Sequence, residues 1–219
     1  MSAADLQGLR LLVSAGPTYE DIDPVRFIGN RSSGKMGFAI AEAAARRGAQ
    51  VQLVAGPVSL PTPAGVQRRD VRSAAQMREA VLAGLPADAY IGAAAVADYT
   101  PVQVAPGKIK KSEAHFALEL VRTPDILAEV AVSVQRPRLV VGFAAETNDV
   151  EHYARGKLEK KKLDLIAANR VGQPGSGFES DDNALTVYWA DGERALGPAP
   201  KTQLADELLD LIAQRLRNA

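Results

Sequence analysis

The sequence contains no cysteine, and this absence excludes several kinds of chemistry at once. Disulfides, thiolate nucleophiles and cysteine-ligated zinc sites all require that residue. Aromatic residues make up only 5% of the chain, and its two histidines, His115 and His152, have no spacing typical of a zinc site. We therefore expect neither a covalent cysteine intermediate nor a metal centre held by the protein itself.

The chain also lacks a net charge and long apolar runs. Its 26 Lys and Arg residues balance 26 Asp and Glu residues, so no overall field favours nucleic acid or a membrane surface. There is no apolar stretch of about eighteen residues, and the start, MSAADLQGLR, has no basic region followed by an apolar one. We expect a cytoplasmic protein without nucleic-acid or membrane partners, in which any anion site is local.

Apolar runs typical of buried strands alternate with helical patterns along the 219 residues. The predicted strands are 9–14, 51–55, 66–71, 89–96, 115–121, 139–144 and 163–167. Helices are predicted after Met36 and Pro124 and over 74–83, 150–162 and 203–216. This alternation predicts an α/β fold, a three-layer αβα domain with a mostly parallel, Rossmann-like sheet. Because the length is ordinary for one α/β domain, we expect residues 1–219 to form a single domain.

The last quarter of the chain has a different pattern. Residues 172–183 are rich in Gly, Ser and Asp, and they precede the apolar run ALTVYW, Asp191-Gly192 and a second short run. Asp-Gly between two such runs is typical of a β-hairpin. Because this hairpin has little core of its own to cover, and because the family resemblance described below implies it, we predict that residues 172–196 form an arm that pairs with a second copy of the chain.

A polar loop, Gly16–Gly37 (GPTYEDIDPVRFIGNRSSGKMG), connects the first predicted strand to the first helix. Such a loop lies at the carboxyl edge of a parallel sheet, and the helix start offers free N–H groups, so we expect anions to bind there. Residues 29–35 fit G-x-x-x-x-G-K. However, Met36 replaces the hydroxyl that a P-loop places on magnesium, and about fourteen residues separate the motif from the strand. An ordinary Gly/Ser helix cap is the alternative.

Several charged residues are predicted to lie near the same edge. Lys157 and Lys161 share one helical face, where they can hold phosphate oxygens together. Lys108–Lys111 lies in a loop with few apolar anchors, which predicts mobility. Taken alone, either lysine group is more typical of solvated surface, and it is the predicted position near the same edge that favours a binding role. Asp98 follows a strand of small residues. Its carboxylate can accept a hydrogen bond from a ribose or from a magnesium-bound water, or it can simply cap a turn.

The chemistry of a nicotinamide site fits this chain poorly. G-x-G-x-x-G should follow the first strand directly, and an acid should end the second. The first turn has only Gly16 before Pro17, and the second strand ends in Ala55-Gly56-Pro57. A nicotinamide oxidoreductase and a non-catalytic nucleotide-binding module are kept as alternatives.

Seven motifs in register point to one family more specifically. They are GPTYEDIDPVRFIGNRSSGKMGFAIAEAAARRGAQV, AAAVADYTP, KIKK, TPDIL, VGFAAET, KLEKKKLDLIAANRV and GFESDDNALTVYW. Over nearly the whole chain they closely resemble the phosphopantothenoylcysteine synthetase domain of bacterial coenzyme A biosynthesis. In that family the domain is usually the carboxyl half of a bifunctional flavoprotein whose amino half decarboxylates phosphopantothenoylcysteine. The resemblance is therefore compatible with fusion to such a decarboxylase domain, and it implies no FMN in this domain.

The resemblance implies a homodimeric ligase that joins 4′-phosphopantothenate to L-cysteine, using CTP with bound Mg²⁺ and releasing CMP and pyrophosphate. Asn30 would act on an acyl-cytidylate, because an amide can donate to a developing oxyanion and accept from an incoming amine. Arg26 would lie on the phosphopantothenate side, Lys108 would lie on a closing flap, and Arg31 has no assigned role. The implied nucleotide site comprises Gly92, Ala93, Ala94, Asp98, Lys108, Pro124, Asp125, Ile126, Leu127, Phe143, Lys157 and Lys161.

Overall fold

An eight-stranded sheet runs through the computed structural model, which describes residues 4–111, 115–171 and 181–218. The strands are β1 Arg10–Ala15, β2 Tyr19–Asp21, β3 Phe27–Gly29, β4 Gln50–Ala55, β5 Val66–Asp70, β6 Ala89–Gly92, β7 Tyr99–Pro101, β8 Leu120–Arg122, β9 Leu139–Glu146, β10 Leu165–Arg170, β11 Asp182–Trp189 and β12 Gly192–Pro200. The helices in the described ranges are α1 Lys35–Arg46, α2 Ala74–Ala83, α3 Ile126–Ala131, α4 Val150–Lys160 and α5 Lys201–Asn218. None of these helices combines the length and apolar character that crossing a bilayer requires.

The strand order is β12-β11-β10-β9-β6-β1-β4-β5, and the six strands from β10 to β5 are parallel. Leu11 pairs with Val51 on one side of β1, and Val13 pairs with Ile91 on the other. The prediction of a mostly parallel α/β fold is confirmed. Because the strands are parallel, the carboxyl ends of β1, β6 and β9 meet at one edge of the sheet.

The core forms two layers, one on each face of this sheet. Successive β1 residues point to opposite faces, so Leu11 and Val13 pack in one layer and Leu12 packs in the other. The first layer is covered by α1 and α5, and the second by α2, α3 and α4. The three-layer arrangement follows from this alternation of fully buried side chains.

Two small hairpins lie at the carboxyl edge, outside the main sheet. β2 pairs with β3 inside the long loop between β1 and α1, and β7 pairs with β8. The sequence predicted a strand over residues 115–121, but within 115–122 only β8, Leu120–Arg122, is in a strand. The alternating apolar side chains of this segment are not buried, since Phe116 is 59% exposed and Val121 is 50% exposed.

The C-terminal hairpin is confirmed, but its surroundings differ from those expected of an arm. β11 pairs antiparallel with β10 and extends the main sheet, and Trp189 pairs with Gly192, so Ala190-Asp191 forms the turn. Leu185 and Leu196 are each 2% exposed and pack in the first core layer. The expectation that the hairpin has little core to cover is therefore wrong. The predicted residues 172–180 lie outside the described part, and pairing with a second copy stays a prediction.

Gly37 lies where α1 approaches β1 most closely. A Cβ added there would lie 2.5 Å from the Ala15 Cβ. Gly37→Ala should therefore lower the free energy of unfolding by about 1–3 kcal/mol, the usual cost of overpacking, as measured by urea denaturation. Gly156→Ala in α4 is the matched control. It meets no atom within 4 Å and should stabilise by up to about 1 kcal/mol through helix propensity. A Gly37→Ala variant as stable as the wild type would contradict the close approach.

Candidate functional site

A cleft of about 590 Å³ opens at the carboxyl edge of the sheet, where β1, β6 and β9 end. It brings together residues that are far apart in the sequence, from the β1–α1 loop to α4. Of the residues proposed from the sequence, it contains Asn30, Gly92, Ala94, Asp98, Pro124, Asp125, Ile126, Leu127, Phe143, Lys157 and Lys161. Arg26, Ala93 and Lys108 do not line it.

The floor of the cleft carries a buried polar pair that sequence reasoning missed. Ser14 Oγ, near the carboxyl end of β1, lies 2.9 Å from the hydroxyl of Tyr90 in the neighbouring strand β6. Burial raises the pKa of Tyr90 to about 12, so it remains a neutral phenol at physiological pH. The polar Ser14 at the end of a Leu-rich strand was the only sequence signal of this pair.

One wall of the cleft is the start of α3. Asp125 caps this helix by accepting a hydrogen bond from the Ala128 N–H at 3.1 Å. A Cβ added at Gly92 would lie 2.8 Å from the Leu127 Cδ2, so glycine is needed for α3 to approach β6. From the sequence, we expected the small residues at the end of β6 to let another backbone or a flat ligand approach closely. At Gly92, the group that approaches closely is the Leu127 side chain.

Lysines from α4, and Lys161 directly after it, make another part of the cleft basic. Lys157 Nζ lies 2.6 Å from a Glu146 carboxylate oxygen, and Lys161 Nζ lies 2.9 Å from one of Asp125. Lys160, which the sequence analysis did not assign, also lines the cleft. Because these ion pairs are partly solvated, they are weak, and phosphate oxygens can compete for the ammonium groups.

Asn30 follows β3 and is anchored to the backbone at the end of β6. Its Nδ2 donates to the carbonyl oxygens of Ala95 and Val96, at 3.0 and 3.2 Å. Both amide hydrogens are therefore engaged in this conformation, and no described residue donates to Oδ1. The expectation that this amide both donates and accepts during the reaction stays a prediction, and without a ligand its donor hydrogens are used by the backbone.

Arg26 and Lys108 lie apart from the cleft, in two segments that are joined to each other. Arg26 Nη2 donates to the Ile109 carbonyl at 3.0 Å, next in the chain to the exposed Lys108. The Ala105 N–H donates to the Ile22 carbonyl at 3.0 Å. The loop expected to be mobile is thus attached, over residues 105–109, to the turn between β2 and β3.

Asp23 is the centre of this attachment, and the sequence analysis missed it. Its carboxylate is buried and accepts hydrogen bonds from the Arg26 Nε at 3.0 Å and the Ile109 N–H at 3.1 Å. The Arg26 guanidinium holds the pKa of Asp23 well below its ordinary range, although burial opposes this. The one sequence signal is the pair Asp23-Pro24, a typical turn initiator.

A side pocket of about 140 Å³ adjoins the cleft at the start of α1. The two cavities share Ala94, Ala95 and 143–145 as lining, and Ala93 lines the side pocket. In the described ranges, no group of three or more His, Cys, Asp or Glu residues is arranged to hold a metal ion. The carboxylates that line the cleft are Asp98 and Asp125.

The family model for the DNA/pantothenate metabolism flavoprotein C-terminal domain matches residues 6–216. The chain belongs to this family. The coenzyme A biosynthesis bifunctional protein CoaBC of Escherichia coli (strain K12) is 54% identical over 215 residues, which cover 96% of this chain and 53% of that protein. CoaBC of Bacillus subtilis (strain 168) is 50% identical over 215 residues, covering 97% of this chain and 53% of that protein. The chain thus spans about half the length of these relatives.

Solved structures share the fold of this family member. The crystal structure of the C-terminal domain of CoaBC matches with a TM-score of 0.84 and 42% identity, covering 99% of this chain and all of that one. A Cab2 structure in complex with phosphopantothenate-cysteine matches with a TM-score of 0.80 over 96% of this chain and 87% of that one. Its identity is 15%, so it shows the likeness of the fold alone.

Asp23→Asn tests whether the carboxylate holds residues 105–109 in place. The variant should be cut faster by trypsin after Lys108, because it loses the ionic bond to Arg26 and weakens the acceptor for the Ile109 N–H. Asp21→Asn is the matched control, since Asp21 pairs with Arg72 instead. Mass spectrometry identifies the first cut, and equal cleavage rates in the two variants would contradict the role of Asp23.

The same variant should lose stability in a pH-dependent manner. A carboxylate whose folded-state pKa is lowered stabilises the fold above its unfolded-state pKa of about 3.9, and the contribution is lost as pH falls below that value. Urea denaturation should find Asp23→Asn less stable than the wild type at pH 7, with a difference that shrinks below about pH 4. A difference that stays constant down to pH 3 would exclude the ionised carboxylate as its source.

Proposed function

We propose that this chain catalyses the CTP-dependent joining of 4′-phosphopantothenate to L-cysteine, giving phosphopantothenoylcysteine, CMP and pyrophosphate. The observation that carries the proposal is the shared cleft, which is lined by Lys157 and Lys160 of α4, by Lys161 directly after it, by the end of β6 and by Asn30. Membership in a family whose relatives are named for coenzyme A biosynthesis supports the substrate class.

In the proposed complex, CTP lies between the α4 lysines and the ends of β6 and β9. Lys157 and Lys161 bind phosphate oxygens by exchanging their carboxylate partners for the ligand, while Phe143 and Leu127 contact the base or ribose. Asp98 would hold a water of the Mg²⁺ that accompanies CTP, and the ion would supply positive charge against the phosphates. The protein then needs no metal centre of its own.

The first step activates the carboxylate of phosphopantothenate, which is otherwise a poor electrophile. A carboxylate oxygen attacks the α-phosphorus of CTP, the bond to pyrophosphate breaks, and an acyl-cytidylate forms. Charge accumulates on the departing pyrophosphate, and fixed cations stabilise it. Lys108 would contribute only after the 105–111 segment moves towards the cleft, because it does not line the cleft in this structure.

The second step forms the amide. The amino group of cysteine attacks the acyl carbon, the carbon–oxygen bond to the cytidylate breaks, and CMP leaves with that oxygen. Asn30 Oδ1 accepts a hydrogen bond from the attacking amine, and the bonds from Nδ2 to the backbone keep the amide in this orientation. Arg26 acts on the phosphopantothenate side. We propose further that the chain works as a homodimer and that FMN belongs to the decarboxylase half with which this family is usually fused.

The other two hypotheses have less support from the site. The turn between β1 and α1 holds a β-hairpin where a nicotinamide site needs a short glycine turn. A module that only binds nucleotides has no need of Asn30 anchored beside the cleft.

Incubation with CTP, Mg²⁺, phosphopantothenate and cysteine tests the proposed function. Pyrophosphate should appear only when phosphopantothenate is present, and CTP should support more release than ATP at equal concentration. Thermal stabilisation by CTP without pyrophosphate release would identify a binding module instead. Oxidation or reduction of a nicotinamide cofactor would favour the oxidoreductase.

Asn30→Asp should separate the two steps. The variant keeps the shape of the side chain but places a negative charge beside an intermediate that already carries phosphates. It also replaces the donor to the Ala95 and Val96 carbonyl oxygens with an acceptor. It should release pyrophosphate, accumulate the acyl-cytidylate in rapid-quench mass spectrometry, and fail to convert it when cysteine is added.

Asn148→Asp is the control for the added charge, because Asn148 is exposed and does not line the cleft. It should make product at the wild-type rate. Normal product formation by Asn30→Asp would remove Asn30 from the mechanism. Loss of CTP binding in that variant would assign Asn30 to the nucleotide site or to the fold.

A further inference from the structure

The backbone that anchors Asn30 lies beyond the end of β6, in a segment that belongs to no helix or strand. This connecting segment, residues 93–98, joins β6 to β7. Its carbonyl groups at Ala95 and Val96 accept both hydrogen bonds from the Asn30 amide. Whatever fixes the position of these two carbonyl groups therefore also fixes the direction in which Asn30 Oδ1 points.

The first bonds that hold the connecting segment continue the parallel pairing of β6 with β1. The Ala93 N–H donates to the Ser14 carbonyl at 3.0 Å, and the Ala95 N–H donates to the Gly16 carbonyl at 2.9 Å. Donors two residues apart thus meet acceptors two residues apart, as they do along a parallel ladder. The next donor in this series is two residues further on, and its acceptor is expected two residues after Gly16.

Thr18 supplies that acceptor through its side chain rather than its backbone. The Ala97 N–H donates to Thr18 Oγ1 at 2.9 Å, and Thr18 is 0% exposed. The chain leaves the line of β1 here, because β2 begins at Tyr19. The Thr18 N–H also donates to the Ala95 carbonyl at 3.3 Å, and the same oxygen accepts the bond from Asn30. Thr18 is therefore bonded to the connecting segment at two points around the anchor of Asn30.

A second threonine holds the far end of the connecting segment. Thr123 Oγ1 donates to the Ala97 carbonyl at 2.6 Å, and the Thr123 N–H donates to the Asp98 carbonyl at 3.0 Å. The backbone of Asp98 is thus held independently of Thr18. Loss of the Thr18 hydroxyl would therefore act mainly on the part of the segment that anchors the amide.

Thr18 differs from Thr123 in having no place in the cleft itself. Thr123 lines the cleft, whereas Thr18 lines neither the cleft nor the side pocket. The Thr18 side chain can act on a bound substrate only through the backbone that it holds. Because a buried N–H without an acceptor is costly, the Ala97 peptide would shift to find another acceptor if the hydroxyl were removed. The neighbouring carbonyl groups, and Asn30 with them, would move as well.

We propose that Thr18 is a positioning residue for the amide-forming step, and that it orients Asn30 through the backbone of residues 95–97. The inference rests on the proposed function, in which Asn30 Oδ1 accepts a hydrogen bond from the attacking amine. Such an acceptor has to point at the incoming nitrogen, and a small misplacement of a positioned group costs much of the rate. The hydroxyl of Thr18 supplies this precision from outside the cleft.

Thr18→Val tests the proposal, because it removes the hydroxyl and keeps the shape of the side chain. The variant should release pyrophosphate from CTP and phosphopantothenate at the wild-type rate, with an unchanged KM for CTP. Conversion of the acyl-cytidylate to phosphopantothenoylcysteine, followed in a single turnover, should slow roughly ten- to a hundredfold. If both steps slow by the same factor, Thr18 acts on the fold as a whole and the proposal is wrong.

Three further variants separate the hydroxyl from packing and from stability. Thr18→Ser keeps the Oγ and should restore amide formation to near the wild-type rate; a rate as low as that of Thr18→Val would overturn the proposal. Thr18→Ala leaves room for a water beside the Ala97 N–H and repeats the test if Thr18→Val does not fold. Ser73→Ala is the matched control: it removes the acceptor of the Gln76 N–H at the start of α2, away from both cavities, and should keep both rates.

The outcomes also separate this inference from the proposed function. If the wild type makes product and Thr18→Val carries out both steps at the same rates, the positioning role fails and the ligase stands. If the wild type releases no pyrophosphate, the proposed function fails, and the orientation of Asn30 is judged by the NMR signals of its side-chain amide. These signals should move towards those of a free asparagine in Thr18→Val but not in Ser73→Ala. Unchanged signals in Thr18→Val would overturn the proposal.

Discussion

Parallel pairing of β1 with β6 and of β6 with β9 is the constraint on which the rest of the structure depends. It brings three strand ends to one edge and places the loops that follow them around one cleft. Backbone hydrogen bonds and the two buried core layers fix this arrangement. Apart from Lys108, whose segment lies outside the cleft, the groups that line the cleft are held next to this rigid sheet edge before a ligand binds.

The connection from β1 to α1 explains how the same edge supports chemistry other than dinucleotide binding. A short glycine turn would present the helix start directly to a pyrophosphate. Here the β2–β3 hairpin comes between β1 and α1. Asn30 follows β3 directly and lines the cleft. The start of α1 is thereby left beside a separate pocket that contains Lys201.

Most of the fold, and the placement of several residues in one cleft, could be predicted from the sequence. Apolar periodicity located the central strands, and the resemblance placed Asn30, Lys157 and Lys161 in what proved to be one cleft. Local patterns could not reveal that Asp23 binds residue 109, because this contact joins segments more than eighty residues apart. The burial of the hairpin was missed for the same reason, since it also depends on a contact between strands. Its apolar side chains are buried in the first core layer because β11 pairs with β10.

In the proposed reaction the carboxylate of phosphopantothenate is activated by transfer of a cytidylyl group in this cleft. Phosphopantothenate labelled with ¹⁸O in its carboxylate tests the claim most directly. If the carboxylate oxygen attacks the α-phosphorus and cysteine then breaks the carbon–oxygen bond, one labelled oxygen must end in CMP, where mass spectrometry detects it. Label in pyrophosphate or inorganic phosphate, or unlabelled CMP accompanying labelled product, would contradict the account.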